Sequence, residues 1–120
     1  MKIDSLIEDY KKQTNICFNT NYSEKDSINK HNKAISKMMM IIDLVNNHQD
    51  ITKFYDLLND KEHKTNLWVS IHLIEKTKLD KKNKEKALKI ISKYSKGNDS
   101  EAMGLREWLK EHKSNKFDLK

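Results

Sequence analysis

LWVSIHLIE, residues 67–75, places apolar side chains at three- and four-residue intervals. Residues with this spacing share one face of an α-helix, so the stretch predicts an amphipathic helix. We expect the helix to extend from about residue 61 to residue 76, with Trp68 and Ile71 facing inward. His72 lies among these apolar neighbours, which predicts a buried histidine that pairs with a backbone group.

The same spacing recurs along the chain and predicts six helices. The predicted apolar stripes lie within residues 3–10, 28–45, 51–58, 67–74, 87–94 and 102–109. The chain has no proline and only two glycines, and many-stranded β folds need both residue types for their frequent tight turns. Because the linkers are short, consecutive helices should pack as antiparallel hairpins. The sequence therefore predicts one all-α domain over residues 1–120.

Capping residues set the expected helix ends. Residues 15–22 are rich in Asn and Thr and lack a clear period, which predicts a loop. Ser23 followed by Asp26 is typical of a capping box at the start of the second helix. Asp50 and Asp80 are expected to cap the third and fifth helices.

The two glycines and a run of three methionines predict further details of helix ends and packing. Gly97 should be a left-handed residue at the end of the fifth helix, after which Asp99 or Ser100 caps the sixth. Gly104 lies inside that helix, where we expect a neighbouring backbone to approach closely. Of the three methionines at 38–40, helical spacing places two in the core.

Charge is unevenly distributed along the chain. The net charge is +6, with −1 in residues 1–62 and +7 in residues 63–120. A basic half can bind phosphates, which leaves nucleic-acid binding open as an alternative function. However, 23 of the 24 basic residues are lysines, and specific recognition of phosphates and bases favours arginine. The alternative would use Lys76, Lys78, Lys81, Lys82, Lys84, Lys86 and Lys89.

The sequence lacks the common catalytic and cofactor motifs. Cys17 is the only cysteine, and no HExxH, GxxxxGK[ST] or GxGxxG motif is present. We expect no enzyme activity, no metal and no cofactor. The longest apolar run, residues 38–42, is far shorter than the ~20 residues that span a bilayer. Without a signal peptide, the chain is expected to be cytoplasmic, with no membrane partner.

Three segments together resemble a known family. LWVSIHLIE at 67–75, EKALKII at 85–91 and EAMGLREWLK at 101–110 are similar to segments of small bacterial helical proteins of the DUF2019 type. The resemblance covers residues 55–112, and it departs from the family pattern at Val69 and Ser70, where alanines are usual. It implies an α–α superhelix related to HEAT repeats. It also implies a role as an immunity protein, because similar proteins accompany polymorphic or contact-dependent bacterial toxins.

The expected function is therefore protein binding, with the toxin as partner. A toxin with a nuclease domain would be basic, and an inhibitor of it should present carboxylates. The candidate partner-binding residues are Asp50, Asp56, Asp60 and Glu62, around the short third helix. The overall positive charge opposes this interpretation unless the acids are grouped on one face.

Overall fold

Helices form all the regular structure in the described part of the chain. The computed structural model describes the backbone of residues 2–118 and the side chains of residues 2–112, and about 80% of the chain is helical, without strands among those residues. The helices are α1 (Ile3–Phe18), α2 (Lys25–Asn46), α3 (Ile51–Phe54), α4 (Thr65–Lys76), α5 (Lys81–Tyr94) and α6 (Ser100–Asp118). Short 3-10 segments, Tyr55–Asn59 and Glu62–Lys64, join α3 to α4. The predicted all-α class with six helices is confirmed.

The first two helices form an antiparallel hairpin. The Thr20 hydroxyl lies 3.0 Å from His31 Nδ1, while His48, just after α2, lies beside Ile3 at the start of α1. The loop predicted for residues 15–22 is wrong, because α1 continues to Phe18. In this last part of α1 the inward face consists of the buried Gln13, Thr14 and Cys17, which do not form an apolar stripe in the sequence.

Helix α4 lies at the centre of the molecule and makes buried polar contacts in two directions. Towards α1, the Thr14 and Thr65 hydroxyls are 2.7 Å apart, and the Tyr10 hydroxyl lies 2.8 Å from His72 Nδ1. Towards α5, the Tyr94 hydroxyl donates to Asn66 Oδ1 at 2.9 Å. The partner of His72 is thus a side chain and not the backbone group that was expected.

The apolar interior has two parts. The larger cluster joins α1 to α5 and contains Tyr10, Met38 and Phe54, all fully buried. The smaller one packs α6 onto α4 and α5 through Leu67, Ile91 and Leu105. Ile74 contacts both clusters, so the helices share a continuous interior.

Polar contacts fix the start of α6. Asp99 Oδ1 accepts a hydrogen bond from the Ala102 amide at 2.8 Å, which confirms Asp99 as the cap. Arg106 Nη1 donates to the Ser95 and Gly97 carbonyls at 2.6 and 2.8 Å. The prediction for Gly97 is wrong, because α5 ends at Tyr94 with Ser95 as its C-cap, and neither glycine has a positive φ.

Other local predictions have mixed outcomes. Asp80 caps α5, with its side chain accepting from the Asn83 amide. The capping box is wrong, because Glu24 occupies the N-cap position of α2 and the Ser23 hydroxyl donates to Asn21 Oδ1. Asp50 occupies the N-cap position of α3 without a side-chain capping bond.

The predictions for Gly104 and the methionines are also wrong. No heavy atom outside the local helix lies within 4 Å of a Cβ added at Gly104, so no neighbouring backbone approaches it. Met38 is fully buried, but Met39 is 36% and Met40 64% exposed. None of the described helices is long and apolar enough to cross a membrane. The HEAT-like superhelical stacking stays a prediction.

Candidate partner-binding surface

The structure brings the four predicted acidic residues onto one surface. Asp50, Asp56 and Glu62 line three neighbouring depressions, and Asp60 shares one of them with Asp56. Asp4, in the first turn of α1, lines all three depressions and makes them one continuous surface. This grouping arises because the start of α1 packs beside the segment that joins α2 to α4.

We call this region the acidic surface and define it by its charged residues. Its carboxylates belong to Asp4, Glu8, Asp9, Asp50, Asp56, Asp60 and Glu62. Its lysines are Lys2, Lys11, Lys12 and Lys53. Seven carboxylates against four lysines give a net charge of −3, so the rest of the +6 chain carries +9. Seven of the 18 acidic residues, including the four that the sequence argument selected, are therefore grouped on one face.

The acidic residues differ in how far the fold itself uses them. Asp60 forms an ion pair with Lys11 at 3.5 Å and accepts a hydrogen bond from the Glu62 amide at 3.0 Å. Asp50 is half-buried beside His48. Asp56 and Glu62 are exposed. Asp60 therefore contributes to local structure, whereas Asp56 and Glu62 present their carboxylates to solvent.

A second surface feature, which we call the aromatic groove, adjoins the acidic surface. It has a volume of about 630 Å³ and lies between the α1–α2 turn, the start of α4 and the start of α6. It is lined by Cys17, Phe18, Tyr22, His31, His63, Lys64, Leu67, Trp68, Ile71, Asp99, Ser100, Glu101 and Leu105. His63 lines both the groove and the acidic surface, so the two features are contiguous.

Aromatic rings that line the groove form two groups. In one group the Phe18 and His63 ring centroids are 5.5 Å apart. In the other, the ring centroids of Tyr22 and His31 are 5.7 Å apart, and those of His31 and Trp68 are 6.4 Å apart. Phe18 is 55% and Tyr22 68% exposed, which leaves large aromatic surfaces open to a ligand.

The backbone is strained where it forms the edge of the groove. His63 and Lys64 have φ values of 54° and 57°, and they are the only non-glycine residues with positive φ among the residues described. The left-handed conformation is unfavourable for side chains with a Cβ atom. Such strain occurs most often at functional sites. Here it lies at the point where the groove meets the acidic surface.

A polar contact joins two of the elements that line the groove. Lys64 Nζ lies 2.9 Å from Glu101 Oε2, which joins the start of α4 to the start of α6. Both side chains are partly exposed, so the ion pair contributes little to stability. It nevertheless places an ammonium and a carboxylate side by side in the groove wall.

Trp68 connects the groove to buried aromatic residues behind it. The Trp68 ring contacts the His72 ring at 5.8 Å, and Tyr10 lies between His72 and Phe54. Burial is the main cause that lowers the pKa of His72 to about 4; the charge of Glu75 opposes this shift, and that of Lys76 adds to it. Burial also raises the pKa of Tyr10 well above its ordinary value. Both groups are therefore neutral at physiological pH and support the groove wall as packed, uncharged rings.

Cys17 also lines the groove and is a possible nucleophile. Burial raises its pKa to about 11, so the side chain is a protonated thiol at neutral pH. A thiol reacts far more slowly than a thiolate, which disfavours a nucleophilic role. No cluster of three or more His, Cys, Asp or Glu residues suited to a metal ion occurs in the described part of the chain.

Sequence reasoning found the acids of the α2–α4 connection but missed the rest of the surface. Asp4 and Glu8 had a usable signal, since their i, i+4 spacing places both on one side of α1, away from the apolar stripe. Phe18 and Tyr22 fell in the region interpreted as a loop. The left-handed backbone at His63 and Lys64 was missed because no glycine marks the position, and the enrichment of histidine in that conformation is only a weak signal.

Comparisons with known proteins leave the family open. No protein-family model, curated protein or solved structure matches this chain. The resemblance to DUF2019-type proteins over residues 55–112 stays a prediction.

Proposed function

We propose that this chain is a protein-binding module that neutralises a bacterial toxin by direct binding. One observation supports the proposal above all: a groove with exposed Phe18 and Tyr22 adjoins a surface of net charge −3. Protein interfaces commonly combine aromatic anchors, which become buried on binding, with a polar rim that sets orientation. The expected partner is basic, as a nuclease domain that attracts phosphates would be.

The grouping of acids removes the main objection to a basic partner. A chain of net charge +6 would repel such a partner if its charges were evenly spread. At physiological ionic strength, charges more than ~8 Å from an exposed contact are largely screened. The local surface, and not the total charge, therefore governs the final approach of the partner.

The DUF2019-type resemblance supports the same proposal, since similar proteins accompany toxins. A cytoplasmic location and a HEAT-like arrangement of the helices are parts of the proposal. Stacked helical hairpins can change their outer side chains without disturbing the interior, which suits recognition of one partner among many.

Co-expression with the toxin domain encoded by the adjacent reading frame tests the proposal. We expect restored growth of the host cells and a single peak containing both proteins in size-exclusion chromatography at micromolar concentration. Two separate peaks, or growth that stays inhibited, would refute neutralisation by direct binding.

A matched pair of variants tests the role of the acidic surface. The double variant Asp4→Asn with Asp56→Asn removes two exposed carboxylates from that surface, and it should slow association about five- to tenfold at low salt. The control, Asp43→Asn with Glu107→Gln, removes two exposed carboxylates elsewhere. Equal association rates for the two variants would contradict the assignment of the acidic surface.

The alternative function, nucleic-acid binding, is supported by a separate observation. Lys82, Lys86 and Lys89 are exposed along one face of α5, and none of them forms an ion pair within the described residues. Glu85 lies four residues before Lys89 but forms no ion pair with it in the part of the chain that the structure describes. This function predicts binding to DNA or RNA that weakens steeply with salt. Absence of binding at low salt would exclude it.

A further inference from the structure

We propose that the aromatic groove binds an arginine side chain of the partner protein. This inference rests on the proposed function, because it names the chemical group by which the partner is anchored. Three features of the groove support it: its aromatic walls, its unengaged carboxylate oxygens and its connection to the acidic surface.

The aromatic walls suit a planar cation. Trp68, Tyr22 and Phe18 line the groove together with two histidine rings. A guanidinium stacks on aromatic faces and is attracted by their electron density, most strongly by that of tryptophan. It is also less strongly hydrated than an ammonium, so it loses less on entering a partly closed groove.

Two carboxylates of the groove can accept hydrogen bonds from that cation. Glu101 Oε2 is held by Lys64, and Asp99 Oδ1 accepts from the Ala102 amide. The second oxygen of each carboxylate has no hydrogen bond within the described part of the chain. Lys64 neutralises one of these two charges, so Asp99, Glu101 and Lys64 together leave the groove wall with a net charge of −1.

The charge around the groove explains why the cation should come from a basic partner. His63 joins the groove to the acidic surface, whose net charge is −3. A basic segment attracted to that surface would place its side chains at the mouth of the groove. A second copy of this chain does not fit, because its only arginine, Arg106, donates to the Ser95 and Gly97 carbonyls of its own fold.

Titration of the ¹⁵N-labelled protein with blocked amino acids tests the inference directly. The probe is N-acetyl-arginine methylamide, and the control is the citrulline analogue, which has the same shape and no charge. Single side chains bind weakly, so concentrations up to about 50 mM are needed. We expect chemical-shift changes at the Trp68 indole and around Tyr22, with the citrulline analogue at least about fivefold weaker. Equal shifts with both compounds, or none with arginine, would overturn the inference.

Variants on the groove wall provide matched controls. Tyr22→Leu and Glu101→Gln alter exposed side chains and should each weaken arginine binding at least about threefold. Glu107→Gln removes an exposed carboxylate from the same helix, outside the groove, and should have no effect. Equal losses for Glu101→Gln and Glu107→Gln would refute a local role of the groove carboxylate.

A further titration distinguishes an arginine side chain of a protein from a free small molecule as the ligand of the groove. n-Butylguanidine carries the same single charge on a guanidinium without the flanking amides. Binding of n-butylguanidine about tenfold tighter than that of blocked arginine would identify a small-molecule site and overturn the docking inference. If arginine fails to bind but the toxin domain still co-elutes with this chain, the anchor inference falls and the proposed function stands. If arginine binds but the toxin domain does not co-elute, the groove's preference for arginine stands and the proposed function falls.

Discussion

Lowering the pH should destabilise this protein through one buried histidine. His72 is 6% exposed, and burial lowers its pKa from 6.5 to about 4. Below pH 6.5 the unfolded chain therefore binds a proton at His72 that the folded chain does not bind. Stability that is present above pH 6.5 is lost as the pH falls towards 4.

The size of the loss follows from the two pKa values. Between them, the free energy of unfolding should fall by up to about 1.4 kcal/mol per pH unit, because one extra proton binds to the unfolded chain. The contribution of His72 relative to pH 7 should be about −2 kcal/mol at pH 5 and about −3 kcal/mol at pH 4. For a domain with a typical stability of about 5–15 kcal/mol, this loss is substantial.

Urea denaturation of the wild type and His72→Gln, followed by circular dichroism from pH 7 to pH 5, isolates this contribution. The other four histidines are present in both proteins, so their effects cancel to first order. We expect the wild type to lose about 2 kcal/mol more than the variant over this range. If the variant does not fold, NMR titration of the wild-type His72 ring provides the same test. Equal pH dependence in the two proteins, or a His72 pKa near 6.5, would refute the reasoning.

Four substitutions test other parts of the fold by urea denaturation. Gly104→Ala should raise the free energy of unfolding by about 0.5–1 kcal/mol, because the added methyl group meets no neighbour; Gly97→Ala should gain less, because its Cβ would lie 3.3 Å from a neighbouring Cβ. Tyr94→Phe should cost about 1–2 kcal/mol, since it leaves the buried Asn66 Oδ1 without its donor; an unchanged stability would contradict that role. His63→Gly should stabilise the protein by about 0.5–1 kcal/mol by relieving the left-handed backbone, and a loss of stability would show that ring contacts outweigh the strain.

The sequence predicted the helices well where apolar periodicity and caps coincide. The second apolar stripe, residues 28–45, lies within α2, and the caps of α5 by Asp80 and of α6 by Asp99 also agree with the structure. The extension of α1 was missed because buried polar groups such as Thr14 find partners that only the tertiary fold supplies. The role expected for Gly97 failed because Ser95 ends the helix with ordinary backbone angles.

The candidate surface was only partly predictable for a related reason. Asp56 and Glu62 are close in sequence, so their cluster could be recognised before the structure was known. Asp4 joins them only because α1 packs beside the α2–α4 connection, which is a long-range contact. The groove likewise forms only where three separate elements pack together, and no local sequence pattern indicates that packing.

Trp68 forms one wall of the groove and also contacts the buried His72 ring, which in turn contacts Tyr10 of the first helix. A ligand that immobilises the Trp68 indole would restrict the motion of buried residues as well as that of the groove surface. Amide hydrogens on the far side of Tyr10 should then exchange more slowly when the groove is occupied. The indole can thus act as a mechanical link between an external contact and the interior.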